Sequence, residues 1–252
     1  MRMNWMMNAV LASLLSGCAG IHTAPTEEER QALAPTGKLR AALLANSPTH
    51  AAAIDLGREL ARRIGVPFEA VTYRGDRALM ESVKSGQWDI IFSGVSPERA
   101  KDLDFSAPYA EIETGYLVAS GSSISSMSEV DRPGVRIALQ EKGAADRLLT
   151  PAIKHATLIR VPTIADAIEM LRSGRAEVVP ANKTNLFPAS ERLPGSRILE
   201  GRIGVSAQGI GVLKGRGPAA AYVRKFVEQA KSEGFVKAAI ERTGVRGLVA
   251  AP

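Results

Sequence analysis

Residues 92–109 read FSGVSPERAKDLDFSAPY, and the reading of this stretch decides the fold. It follows Trp88-Asp89-Ile90-Ile91-Phe92, an apolar run with the length and composition of a buried strand. Ser93, Gly94, Val95 and Ser96 are small and flexible. Pro97 stands where a helix can start, because its missing N–H is no loss at a first helical position. A short helix carrying Glu98 and Arg99 is therefore expected. The loop before it should leave backbone N–H groups free at the helix's positive end, where an anion can be held. Arg99 adds a permanently charged fork that matches a carboxylate at two points. The same residues also permit a plainer reading, an arginine on a solvated helix surface paired with Asp102 or Asp104.

Around this stretch the chain alternates between strand and helix patterns. Before it, strands are expected at 39–44, 68–73 and 89–92, with helices at 51–64 and from Asp76, as the cap, to Gly86. Gly65 and Pro67 close the first of these helices. Two strand–helix–strand units in succession argue for a parallel sheet covered by helices. After an extended run at 112–119 a second unit begins, with strands at 135–139, 158–161 and 177–179 and helices at 143–149, 163–172 and 182–187. Thr163 and Asp166 have capping-box spacing. An extended joining segment at 204–209 leads into a return strand at 209–213, followed by helices at 218–230 and 235–242, and 247–252 read as a frayed tail. Residues 18–116 are net acidic and 206–252 net basic, as expected if the chain returns to complete its first unit.

Length and composition bound the function. The chain has 252 residues, 45% of them hydrophobic, which suits one large domain or two modest ones, each able to bury a core. Its net charge of +6 is dispersed and aromatic residues are only 5%, so neither a basic patch nor a stacking surface for nucleic acid is present. His22, His50 and His155 lack metal-ligand spacing, and one cysteine, Cys18, allows neither an internal disulfide nor a cysteine-based metal site. No metal or cofactor is expected. There is no nucleophile elbow, and Lys214 stands at the third glycine position of a dinucleotide fingerprint around Gly209.

The stretch Ser96-Pro97-Glu98-Arg99 … Asp104-Phe105-Ser106-Ala107-Pro108-Tyr109 resembles the signature of bacterial family 3 solute-binding proteins, the amino-acid-binding components of uptake transporters. Further matches are Ala53-Ile54-Asp55-Leu56, Ser85-Gly86-Gln87-Trp88-Asp89-Ile90-Ile91, Gly143-Ala144-Ala145 and Gly174-Arg175-Ala176-Glu177-Val178-Val179. They extend the resemblance over residues 36–244. It implies a two-lobed type 2 periplasmic binding fold, each lobe a mainly parallel sheet flanked by helices and the two hinged by a pair of crossover segments. The first lobe would hold 38–114 and 207–246, the second 115–206. By the same resemblance Arg99 holds a ligand carboxylate, with Ser93, Gly94 and Ser96 beside it, Asn46 and Ser47 from the loop at 45–52, and Gly143, Ala144, Ala145 and Asn182 from the second lobe.

Departures from the family pattern matter. Gly94 stands where the family has a threonine hydroxyl, Ala144 and Ala145 where it has hydroxyl residues, and Asn182 where it has the aspartate that meets an ammonium. The anion end is kept and the cation end has lost its charge. A carboxylate ligand is expected, and a zwitterionic amino acid is disfavoured. Residues 1–17 resemble a lipoprotein signal peptide ending in Leu15-Ser16-Gly17-Cys18, with 18–37 a tether. Lipidation at Cys18, followed by Ala19, implies a periplasmic protein on the inner leaflet of the outer membrane, touching membrane only through its anchor. The expected activity is non-enzymatic: a monomer that delivers a small carboxylated solute to the permease of an ABC importer. A cyclohexadienyl dehydratase-like enzyme and a sensory partner protein are the alternatives within the same fold.

Overall fold

The computed structural model describes residues 24–252. The signal peptide at 1–17 and Cys18 lie outside the described residues. Strands β1 (Leu39–Leu44), β2 (Phe68–Tyr73) and β3 (Ile90–Gly94) form a parallel set with β1 in the centre. Helices α2 (His50–Ile64) and α3 (Asp76–Glu81) connect them. The second unit repeats the plan, with β6 (Arg136–Gln140) between β7 (Thr157–Val161) and β8 (Val178–Asn182), again parallel, and with α4 (Ala144–Leu149), α5 (Ile164–Arg172) and α6 (Lys183–Arg192).

Two long strands join the units. Strand β5 (Ala110–Val118) pairs antiparallel with β10 (Gly204–Leu213) through its first half and with β8 through its second. Thr114 is the residue at which β5 changes partner, facing both Gly204 and Asn182. Strand β10 in turn runs antiparallel to β3. The result is a two-lobed α/β architecture with a hinge of two crossing strands. Each lobe has separate cores. Leu39, Leu56, Phe92, Tyr109, Phe226 and Ile240 cluster in the first, and Tyr116, Ile137, Leu149 and Val178 in the second. Helices α7 (Gly217–Ser232) and α8 (Phe235–Thr243) return to the first lobe. The ion pair Arg242–Asp55 at 2.8 Å joins the basic tail to the acidic first segment in the sense of their net charges, and Arg63–Glu233 at 2.6 Å joins them in the opposite sense.

Several expectations need correction. The tether at 18–37 is not a tether throughout, because α1 (Glu27–Leu33) packs on the first lobe and buries Leu33 completely. Its cause is local: Thr26 and Glu29 close a capping box, which stabilises a seven-residue helix with an apolar end. The tail at 247–252 is not frayed. Leu248–Ala250 form β11, paired with β5, and the Ala251 N–H donates to the Tyr109 carbonyl at 3.1 Å. Gly75, not Asp76, caps α3, which ends at Glu81 and passes into a 3₁₀ turn, Ser82–Lys84. The Thr163–Asp166 capping box is present. Strand β10 starts at Gly204, five residues before the return strand expected at Gly209.

Candidate functional site

In an open α/β sheet, ligands bind outside the carboxyl ends of the parallel strands. Two segments of the first lobe meet there. Asn46 and Ser47 follow β1, while Gly94 ends β3 and Ser96 and Arg99 follow it. The Ser47 and Thr49 hydroxyls lie 2.7 Å apart, and the Thr49 N–H donates to Ser47 Oγ at 3.2 Å, so this loop is locked by its own side chains. Tyr109 lies fully buried in the same lobe, and desolvation pushes its hydroxyl up to about 12. The Thr49 hydroxyl opposes that shift, but without the geometry of a hydrogen bond.

The expected helix after Pro97 is a single 3₁₀ turn, Arg99–Lys101. Part of the nearby backbone is committed: Val95 N–H bonds the Ala207 carbonyl, Ala100 N–H the Ser96 carbonyl and Arg99 N–H the Ser96 hydroxyl. Three residues build no appreciable macrodipole, so this turn lacks the positive end of a longer helix. The positive charge comes from the side chain alone. Arg99 is about four-fifths buried, and its acid partner is neither Asp102 nor Asp104. Its Nη2 donates to Asp76 Oδ1 at 2.5 Å, and its Nη1 donates to the Gly94 carbonyl at 3.1 Å. Asp76 lies more than half exposed at the start of α3. The Ser93 hydroxyl is buried without a partner.

Gly94 has a positive reason to be glycine. A Cβ there would stand 3.3 Å from Arg99 Nη1 and 3.6 Å from Gln208 Nε2. Gln208 is the β10 residue paired with Gly94, and it is buried. Its amide donates to the Ser206 carbonyl at 3.3 Å and hydroxyl at 3.2 Å.

In the second lobe Gly143, Ala144, Ala145 and Asn182 are brought together around a small hollow of about 70 Å³, with Gln140, Pro180 and Asn185. Asn182 Oδ1 accepts from the buried Thr114 hydroxyl at 3.2 Å, and its N–H₂ carries two further donors. Asn46 and Ser47 meet the second lobe across a larger groove of about 600 Å³, opposite Thr184, Asn185 and Phe187. Arg246 bridges this groove, its guanidinium carbon 3.8 Å from the Phe187 ring centre and its Nη1 3.3 Å from Glu191. Arg99 lines neither space. Asp76, Gln208 and Arg246 escaped the sequence reading because each reaches the site from a distant segment, and Asn185, three residues beyond Asn182, because it carries no motif. Among the described residues no group of three or more His, Cys, Asp or Glu side chains is placed to hold a metal ion. No helix of the described residues is long and apolar enough to cross a membrane.

Two lobes, a two-strand hinge and polar groups at the strand ends define a type 2 periplasmic binding fold. The model of the bacterial extracellular solute-binding proteins, family 3, matches residues 52–243, and the chain belongs to that family. A curated relative is the ABC transporter glutamine-binding protein GlnH of Bacillus subtilis, 22% identical over 188 residues, covering 72% of this chain and 67% of that protein. Among solved structures, the BvgS VFT2 domain of Bordetella pertussis superposes with a TM-score of 0.66 at 20% identity, over 88% of this chain and 99% of that one. The lysine-complexed binding component of an ABC transporter from Wolinella succinogenes gives 0.64 at 21%, over 82% and 95%. The reconstructed ancestral amino-acid-binding protein AncCDT-1, described as a precursor of cyclohexadienyl dehydratase, gives 0.62 at 22%, over 84% and 98%.

Proposed function

We propose that this protein is a periplasmic solute receptor that captures a small carboxylate-bearing molecule between its lobes and hands it to an ABC permease without chemical change. Residues 38–114 with 207–246 form the first jaw and 115–206 the second. Arg99 takes the carboxylate, with Ser93, Gly94 and Ser96 shaping its surroundings. Asn46 and Ser47 border the ligand from the first jaw, and Gly143, Ala144, Ala145 and Asn182 from the second. Removal of residues 1–17 and lipidation at Cys18 would tether the monomer to the inner leaflet of the outer membrane, with the linker reduced to about residues 18–26 because α1 is packed.

The observation that carries the reading is the donor character of both jaws. Arg99 offers only N–H groups, and Asn182 presents a neutral amide whose N–H₂ can donate. The one acid beside Arg99, Asp76, is already held by the guanidinium, so an ammonium gains no uncommitted charged partner while a carboxylate gains donors from both sides. A thermal-shift screen of amino acids, dicarboxylates and aromatic acids tests this. A ligand at a hundred times its dissociation constant should stabilise the fold by about 2.7 kcal/mol, and Arg99→Ala should erase the shift. No shift with any carboxylate, or an equal shift in the variant, would overturn the proposal.

A second reading has one observation in its favour. Asp76 puts a carboxyl group 2.5 Å from Arg99, and an acid beside a bound anion is what a dehydratase-like enzyme needs. Turnover of prephenate or arogenate by the purified protein would replace the receptor with an enzyme.

A further inference from the structure

We infer that Gln208, on the hinge strand, is a ligand-binding residue, and that the side chain missing at Gly94 leaves the wedge that a ligand carboxylate oxygen enters between Arg99 and Gln208. This rests on the receptor reading above and makes its anion site specific.

The direction in which a side chain would leave Gly94 runs toward two donors, Arg99 Nη1 at 3.3 Å and Gln208 Nε2 at 3.6 Å from the Cβ position. The third nearest atom is the Ala207 carbonyl oxygen, at 3.8 Å. Two N–H groups are thus the nearest groups to that position, both closer than this backbone acceptor. Both are loosely held. The Gln208 bonds of 3.2 and 3.3 Å to Ser206 are longer than the usual 2.9–3.0 Å, and Arg99 Nη1 reaches the Gly94 carbonyl at 3.1 Å. An incoming carboxylate offers a shorter, charge-assisted bond to each. Gln208 is more than nine-tenths buried, so a bond formed there is poorly screened by solvent. Asp76 does not block the wedge. It holds the other terminal nitrogen, Nη2, from an exposed position where water screens its charge.

Gly94 therefore does more here than lose a hydroxyl. A side chain would fill the wedge, while its absence admits an oxygen from the ligand. Because Gln208 sits on β10, opposite Gly94 and 94 residues from the β5 switch at Thr114 in sequence, ligand contact at this point also touches the strand that links the jaws.

The test measures binding of L-glutamine, succinate and phenylacetate to the purified protein by calorimetry, using the tightest of the three to compare wild type, Arg99→Ala, Gln208→Met and Gly94→Ala. Gln208→Met keeps length and volume but removes the donor, and should weaken binding about tenfold, near the loss of one hydrogen bond to a charged group. Gly94→Ala should weaken it by at least as much. The ligand-free melting temperature of each variant shows whether it still folds. If wild type binds, Arg99→Ala does not, and both Gln208→Met and Gly94→Ala bind like wild type, this inference is overturned while the receptor reading stands. If none of the three probes binds wild type, the receptor reading falls for them and this inference with it. Should Gly94→Ala fail to fold, Gln208→Met alone decides: unchanged affinity overturns the role of Gln208, and a tenfold loss supports it.

Discussion

The two lobes open their sheets with the same device, set in different surroundings. In the first lobe Arg40, near the start of β1, donates to both oxygens of Asp89 at 2.9 and 3.0 Å and to the Gly86 carbonyl at 2.9 Å. In the second, Arg136 at the start of β6 donates to both oxygens of Glu177, the shorter bond 2.5 Å, and to the Gly174 carbonyl at 2.7 Å. The backbone N–H of each arginine also bonds its acid, and both glycines sit at φ +69°. The segments Ser85-Gly86-Gln87-Trp88-Asp89 and Ser173-Gly174-Arg175-Ala176-Glu177 are thus equivalent, although their side chains differ. Burial separates them. Asp89 is 1% exposed and Glu177 is 34% exposed. The returning chain covers the first lobe's base, and Arg216 bonds the carbonyls of Asp89 and Ala32 there. Burial lowers the Arg216 pKa, with the Asp89 charge opposing it. One motif therefore serves as a buried anchor in one lobe and as a surface ion pair in the other.

The comparison breaks most readily at Asp89. Replacing it with alanine strands two arginines beside a desolvated position, and urea denaturation should show a loss of about 3 kcal/mol or more. A loss below that of the same change at Glu177 would reverse the argument. The two turn glycines provide the control. Both have open space where a Cβ would lie, so Gly86→Ala and Gly174→Ala should each cost about 1 kcal/mol, from the left-handed backbone alone. Unequal losses would mean that the turns differ in something other than burial.

The smallest effect is expected at Glu177→Gln, about 0.5 kcal/mol at neutral pH, because a half-open pair is screened. Its pH dependence sharpens the test. The hydrogen bond from Arg136 holds the Glu177 carboxyl below the usual range. A depressed acid stabilises the fold above its unfolded value, about 4.3, and loses that contribution as pH falls through the folded value. The gap between wild type and Glu177→Gln should therefore be widest near pH 7 and close as acid is added. A gap that widens below pH 4 would show the sign to be wrong.

Strands β1 and β2 match the expected boundaries residue for residue, because short, mainly apolar runs, broken only by Arg40 in one and Glu69 and Thr72 in the other, lie between glycine and proline signals. Helix α1 is longer than the single turn that the tether segment suggests, because its capping box is written in Thr26 and Glu29 while its apolar residues are confined to Ala32 and Leu33. At the site, motif residues could be named but their partners could not. The Arg99–Asp76 pair spans 23 positions, and nothing in local spacing distinguishes Asp76 from Asp102 or Asp104. Gln208 read only as part of the return segment, because its role depends on lying opposite a glycine.

The order of residues by itself determined the strand–helix alternation, the family signature and the arginine at its centre, because these rest on periodicity and on chemistry carried within a few neighbouring positions. Only the tertiary structure decided which acid meets that arginine, that Asn182 turns its carbonyl to Thr114, and that a glutamine on the crossing strand stands opposite Gly94. Each of those facts is a contact between segments far apart in the chain. A contact of that kind is set by how sheets stack and cross, and no local pattern encodes it.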